Sequence, residues 1–296
     1  MTATERNPAD RANARGAALM VGSMVAFTVN DAFMKVLGTQ WPVFQSLFIR
    51  GIFAVLIMLF LAWALGHLRW NLSRRDWRMV AARTGCEAVA AALFITAIFN
   101  MPLAEATAIL QALPLTVTLA GALFLGEQVG WRRWLAIGVG FIGMLMIVRP
   151  SMSGVSPYAL CAVAAVILIT FRDLAARQMS NDVPSLLAAA AGALGVMLIG
   201  ALGSTTEDWV PLNQVAAVGL IGAILTIGVA YFFSVAAMRS GDIGFVAPYR
   251  YSALLVALVI GYFAFDEVPD PLTLAGAALI MATGLYTLFR ERQVSA

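Results

Sequence analysis

The chain has 296 residues, of which 61% are hydrophobic and 12% charged, with a net charge of +3 and a mean hydropathy of +0.86. A water-facing domain carries about 25% charged residues, so a soluble globular surface is excluded and lipid must surround most of the molecule. The pI of about 9.1 comes from scattered arginines. They do not cluster with interleaved aromatics, so nucleic acid is not an expected partner.

At the start of the chain, Arg6, Arg11 and Arg15 precede an apolar stretch from Ala17 to Leu37. That stretch is longer than the core of a signal peptide, contains Asp31 and Lys35, and is followed by no small-residue cleavage site. It reads as a first transmembrane helix. A spanning helix needs about 20 mostly apolar residues. The predicted spans are 16–37, 42–65, 79–100, 103–125, 132–149, 157–178, 184–203, 212–238, 243–265 and 270–289. The expected fold class is an all-α integral membrane protein of ten transmembrane helices, a multi-pass membrane protein.

With the N-terminus in the cytoplasm, Arg6, Arg11, Arg15, Arg69, Arg74, Arg75, Arg78, Arg132, Arg133, Arg177, Arg239, Arg290 and Arg292 fall on the cytoplasmic side. Arg149 alone falls opposite. The bias predicts cytoplasmic N and C termini. Trp41, Trp70, Trp131, Trp134 and Trp209 fall near span ends, as interfacial anchors should.

Charged side chains inside lipid are costly and are retained for pairing or function. In the first span, Asp31 and Lys35 stand four residues apart and can pair on one helix face. Arg50 enters span two from the same side, and an Asp31–Arg50 bridge is expected, read first as a clamp between neighbouring helices and otherwise as a gate or substrate-anchoring pair near the outer mouth. Arg83 and Glu87 in span three are again four apart. A carboxylate in hydrocarbon without a cation favours its neutral form, the property a proton-coupled site needs; with Arg83 beside it, a static pair results. Gln111 and Pro114 lie in span four, Arg172 and Asp173 in span six, and Tyr231 in span eight. Arg172 near a span end can also snorkel to the interface. In span nine, Pro248 removes a backbone hydrogen bond inside a helix, and Tyr249 and Tyr251 flank Arg250. Aromatic faces with a guanidinium suit a planar heteroaromatic solute. Glu127 and Glu267, each in a loop, are expected to cap the helices that follow.

The chain also resembles itself. Thr28, Asp31 and Lys35 recur as Thr170, Asp173 and Arg177 with the same spacings. At nearly the same shift, Gly121 and Glu127 match Gly261 and Glu267. An odd number of spans per half makes the halves insert in opposite directions, as in many secondary transporters with a midplane site between repeats. The organisation predicted is a cytoplasmic tail over 1–15, a first five-helix repeat over 16–149, a second over 157–289, and a cytoplasmic tail over 290–296. Gly138, Gly140 and Gly143, with Gly276 and Gly284, read as small-residue packing faces.

Leu113-Pro114-Leu115, Gly126-Glu127 and Gly138 to Gly143 in the first half, with Ala247 to Tyr251 and Phe265 to Asp270 in the second, resemble the drug/metabolite transporter superfamily in its ten-span EamA-like group. The resemblance runs from about Arg15 to Phe289. Asn30-Asp31, Phe48 to Gly51 and Pro248 to Tyr251 are similar to strings in bacterial S-adenosylmethionine and riboflavin uptake carriers, with amino-acid and drug exporters as relatives.

The function expected is therefore a secondary transporter of a small organic metabolite working by alternating access. Uptake of a planar cofactor-type solute is favoured, riboflavin first and S-adenosylmethionine second, with export of amino acids or drugs as the alternative. Substrate contacts are assigned to Tyr249, Arg250, Tyr251, Arg50, Gln111 and Tyr231, and gating or coupling to Asp31, Glu87, Asp173, Arg172 and Lys35. The partners expected are a small-molecule solute and the lipid bilayer, with room left for a homodimer. A membrane-embedded enzyme is the other class, with little to support it. His67 is the only histidine and lies in a loop, and Cys86 and Cys161 sit in apolar runs as small hydrophobes. No metal or cofactor is expected.

Overall fold

The computed structural model describes residues 8–64, 66, 72–127, 129–149, 155–180, 182–238, 240 and 242–295. The expectations for Arg6, His67, Arg69, Trp70 and Arg239 lie outside the described residues. Among the described residues, ten helices are long and apolar enough to cross a membrane. They are α1 (Pro8–Gly38), α2 (Val43–Ala64), α3 (Arg74–Asn100), α4 (Leu103–Phe124), α5 (Trp131–Val148), α6 (Pro157–Arg177), α7 (Ser185–Gly203), α8 (Gln214–Met238), α9 (Ala247–Phe265) and α10 (Pro271–Ser295). The bundle has a terminal end, where α1 begins and α10 ends, and a far end.

Two helices begin earlier than their apolar runs. The polar turn from Pro8 continues α1, and α3 starts at Arg74 because Ser73 caps it. The Ser73 hydroxyl accepts from the Asp76 N–H at 3.0 Å and donates to the Asp76 carboxylate at 2.7 Å. Charged turns leave the hydrocarbon but remain helical.

Spans four and nine are not continuous α-helices. In α4 the α-helical stretch Leu103–Leu110 ends at Gln111 and resumes over Leu113–Phe124. Pro114 has no N–H to give the Leu110 carbonyl, so the ladder is interrupted there. In α9 a short turn, Ile243–Val246, leads into a 3-10 segment over Ala247–Tyr251, and α-helix follows from Ser252 to Phe265. Pro248 at its start favours this irregular backbone, which is tolerated at membrane depth only against protein or a wet cavity.

The principal packing pairs are α1 with α8, α2 with α7, α3 with α6, and α5 with α10; α4 meets α9, α6 meets α4, and α1 meets α9. Exchanging each helix for its counterpart five spans away returns the same set of pairs, which is the signature of an internal two-fold relation between halves. The α5–α10 crossing is closed by glycine. A Cβ on Gly143 would lie 2.7 Å from the Gly276 carbonyl oxygen, and one on Gly276 would lie 2.5 Å from that of Gly143.

One expected anchor behaves otherwise. Trp41 is buried, and its indole N–H donates to the Pro211 carbonyl at 3.3 Å, tying the far ends of the two halves together. Trp131, Trp134 and Trp209 are exposed as anchors should be.

Candidate functional site: a polar seam between the halves

Inward of the far end, about one turn before Lys35 on α1, a polar layer is set by Asn30. This side chain is 1% exposed, donates to the Ala223 carbonyl on α8 at 2.7 Å, and accepts from the Arg50 guanidinium at 3.2 Å. Arg50 therefore bonds the neighbour of Asp31 rather than Asp31 itself. The Arg50 Nε is buried without a partner. Asp31 makes no hydrogen bond or ion pair among the described residues, so neither the Asp31–Lys35 nor the Asp31–Arg50 bridge is formed. Tyr231 on α8 packs edge-on against Phe27, with ring centroids 5.5 Å apart. Its hydroxyl lies within electrostatic range of Arg50, Arg172 and Glu87.

The middle layer is centred on Glu87. Arg83 approaches its Oε2 at 2.9 Å and Arg172 its Oε1 at 3.6 Å. Arg83 also donates to the Ala188 carbonyl at 2.8 Å, and Arg172 contacts Asp173 Oδ1 through two nitrogens at 2.8 and 2.9 Å. The expected Arg83–Glu87 pair is present. Arg172 turns into this network instead of snorkelling to the interface. Space for the Glu87 carboxylate is left by Gly192 on α7, where a Cβ would sit 2.7 Å from Oε2.

Closer to the terminal end stands Arg250, on the 3-10 segment of α9. The residue is exposed rather than packed shut, with Asp173, Arg172 and Tyr251 in electrostatic range. No carboxylate lies within 4.0 Å of its guanidinium among the described residues, and Asp173 is the carboxylate in electrostatic range. Gln111 at the break in α4 donates to the Arg250 carbonyl at 3.4 Å, so the two interrupted spans meet at their irregular segments. Tyr249 is 39% exposed and Tyr251 only 3%. Tyr251 is turned toward α10, its hydroxyl packed against Gly284 and unbonded among the described residues, and within electrostatic range of Arg250.

Lys35 finds its partner across the seam. Its ammonium meets Glu267 Oε1 at 2.8 Å and the carbonyls of Ile98 and Met101 at 3.2 and 2.5 Å. Glu267 Oε2 accepts from the Leu103 N–H at 2.8 Å, capping the start of α4 rather than of α10. Asp270 takes that second task, accepting from the N–H groups of Leu272 and Thr273. Glu127 likewise caps no following helix among the described residues and instead accepts from Arg177 at 2.9 Å. Asn30, Glu267, Glu127 and Arg177 thus join the polar framework without having been singled out as site residues. The signal for three of them was present, since Lys35/Arg177 and Glu127/Glu267 are repeat-matched positions of opposite charge.

A model of the EamA-like transporter family matches this chain twice, over residues 14–149 and 156–289. The S-adenosylmethionine uptake transporter of Rickettsia conorii is 27% identical over 92% of this chain and 91% of its own. The pseudopaline exporter CntI of Pseudomonas aeruginosa is 28% identical over 90% and 93%, and the riboflavin transporter of Rhizobium johnstonii 28% identical over 76% and 72%. A solved crystal structure superposes with a TM-score of 0.62 over 96% of this chain and 99% of the other, at 16% identity, which shows a shared fold. The chain therefore belongs to the EamA-like transporter family and is a multi-pass transporter of the inner membrane.

Proposed function

We propose that this transporter imports a metabolite with an amino-acid zwitterion and a flat ring, of the S-adenosylmethionine kind, by alternating access of its two halves. The observation that carries this reading is Arg250, an exposed guanidinium on the irregular segment of span nine with no carboxylate bound to it among the described residues and with Asp173 in electrostatic range. Both contacts from Arg172 fall on Asp173 Oδ1, leaving Oδ2 for a ligand's ammonium while Arg250 takes a carboxylate. Exposed Tyr249 supplies an aromatic face for a ring. Riboflavin has the ring but no charge, so it uses less of this arrangement and stands second. The relative that exports pseudopaline supports the opposite direction as an alternative for the same site.

Purified protein in liposomes loaded with buffer tests the proposal. Radiolabelled S-adenosylmethionine should enter, be recovered chemically unchanged, and be displaced by excess unlabelled compound. Arg250→Ala should lower transport efficiency about 10- to 100-fold, as loss of charge-assisted hydrogen bonds predicts, with Arg250→Lys retaining part of it. Entry of riboflavin but not of S-adenosylmethionine, or an Arg250→Ala variant that transports as well as wild type, would overturn it.

A further inference from the structure

The two halves are joined at opposite ends by ion pairs that the internal repeat exchanges. Lys35 of α1 in the first half binds Glu267 in the loop after α9 of the second. Arg177 of α6 in the second half binds Glu127 in the loop after α4 of the first. Lys35 and Arg177 are repeat counterparts, as are Glu127 and Glu267. The loop geometry repeats as well. Gly126 and Asp266 both adopt positive φ, at 69° and 52°, and the N–H of each following glutamate bonds back to its glycine, Glu127 to Gly121 at 3.2 Å and Glu267 to Gly261 at 2.9 Å.

Their surroundings differ. The far pair is 14% exposed on both sides. Lys35 also holds two carbonyls at the end of α3, and Glu267 holds the first N–H of α4, so the pair bridges a negative and a positive helix terminus. Glu105, Arg149 and Asp270 lie around it. The terminal pair is 45% and 43% exposed, and among the described residues the two side chains bond only each other.

We propose that Lys35–Glu267 and Glu127–Arg177 are the two latches of the transport cycle, one at each mouth of the seam, and that their unequal burial sets the resting state with the far mouth shut and the terminal mouth ready to open. In the opposite state the relation inverts. Arg177 then reaches the end of α8 as Lys35 now reaches the end of α3. Breaking a buried pair leaves a desolvated charge behind, whereas an exposed pair contributes little.

The inference rests on the alternating-access reading, but its test needs no substrate, so an error in solute identity leaves it standing. Nitroxide labels at Thr39 and Val268 read the far gap in lipid, and labels at Gly130 and Gln178 read the terminal gap. Glu267→Gln should shift the equilibrium toward a wide far gap and a narrow terminal gap by more than about 100-fold. Glu127→Gln should shift it less than about fivefold toward a wider terminal gap. Lys35→Arg, which installs the cation used at the counterpart position, should keep the wild-type distances. If Glu267→Gln does not insert, Lys35→Gln breaks the same latch from its other side. Unchanged distances on breaking the far pair, both gaps widening together, or equal shifts from the two latches would overturn the proposal.

Discussion

The opening helices of the two halves, α1 and α6, share a frame and differ in what the frame holds. Thr28 bonds the Met24 carbonyl at 2.9 Å and reaches the Ala253 carbonyl of α9 at 3.4 Å. Its counterpart Thr170 bonds the Val166 carbonyl at 2.8 Å and the Thr116 hydroxyl of α4 at 2.7 Å. One helix docks on α9, the other on α4, as the repeat demands. At the next matched positions the symmetry stops. α1 carries neutral Asn30 beside Asp31, which forms no ion pair among the described residues, whereas α6 carries Arg172 bound to Asp173 and Glu87. Arg50 on α2 has Gly192 as its counterpart on α7, and that glycine makes room for Glu87. The scaffold is duplicated and its polar lining is not, so any solute meets different chemistry from each half.

The sharpest way to break this contrast is at Glu87, which stands between two guanidiniums. Glu87→Gln leaves Arg83 and Arg172 facing each other with one fewer negative charge in a half-buried layer. The expected cost is about 3–5 kcal/mol of stability, the largest effect of any single substitution considered in the seam, seen as a lowered melting temperature in lipid nanodiscs. A melting temperature equal to wild type would mean that the Glu87 contacts hold nothing together.

The spans were legible because about 20 apolar residues in a row have few alternatives to crossing a bilayer. The pairing of Glu87 with Arg83 was legible too, because spacing along one helix states it directly. Lys35 shows where this kind of reading stops. Its spacing from Asp31 offered a local partner, but the ammonium binds Glu267 in the other half, together with two carbonyls no pattern of side chains reveals. Trp41 failed as an anchor for the same reason: proximity to a span end says nothing about which neighbour covers it. Partners in a seam are chosen by folding the halves onto each other, and only the matched charges of the repeat carried a hint of that choice.

A smaller effect is expected on the α1 side. Asn30→Ala removes the acceptor that orients Arg50 and the bond to Ala223, at a cost of about 1–3 kcal/mol. Asn30→Ser, which keeps an acceptor on a shorter side chain, should recover part of it. Orientation of Arg50 predicts that Asn30→Ala raises the solute KM more than it lowers kcat. Loss of stability with unchanged KM would confine Asn30 to packing between α1 and α8.

The smallest effect lies outside the seam, at the far rim. The Arg149 guanidinium, followed by the N–H of Thr273, holds the Asp270 carboxyl well below the usual carboxylate range of about 4. A carboxyl depressed on folding contributes stability that is fully present above its unfolded value and is lost as pH falls through its folded one. Between pH 5 and 8 this contribution is constant, and it fades only in stronger acid. Asp270→Asn should therefore lower the melting temperature slightly and by the same amount across the neutral range, with the gap to wild type closing below about pH 4. The pair is exposed, so salt should narrow the gap as well. A difference that grew on acidification would assign the titration to another group, and one insensitive to salt would show that Asp270 acts as the cap of α10 rather than as the partner of Arg149.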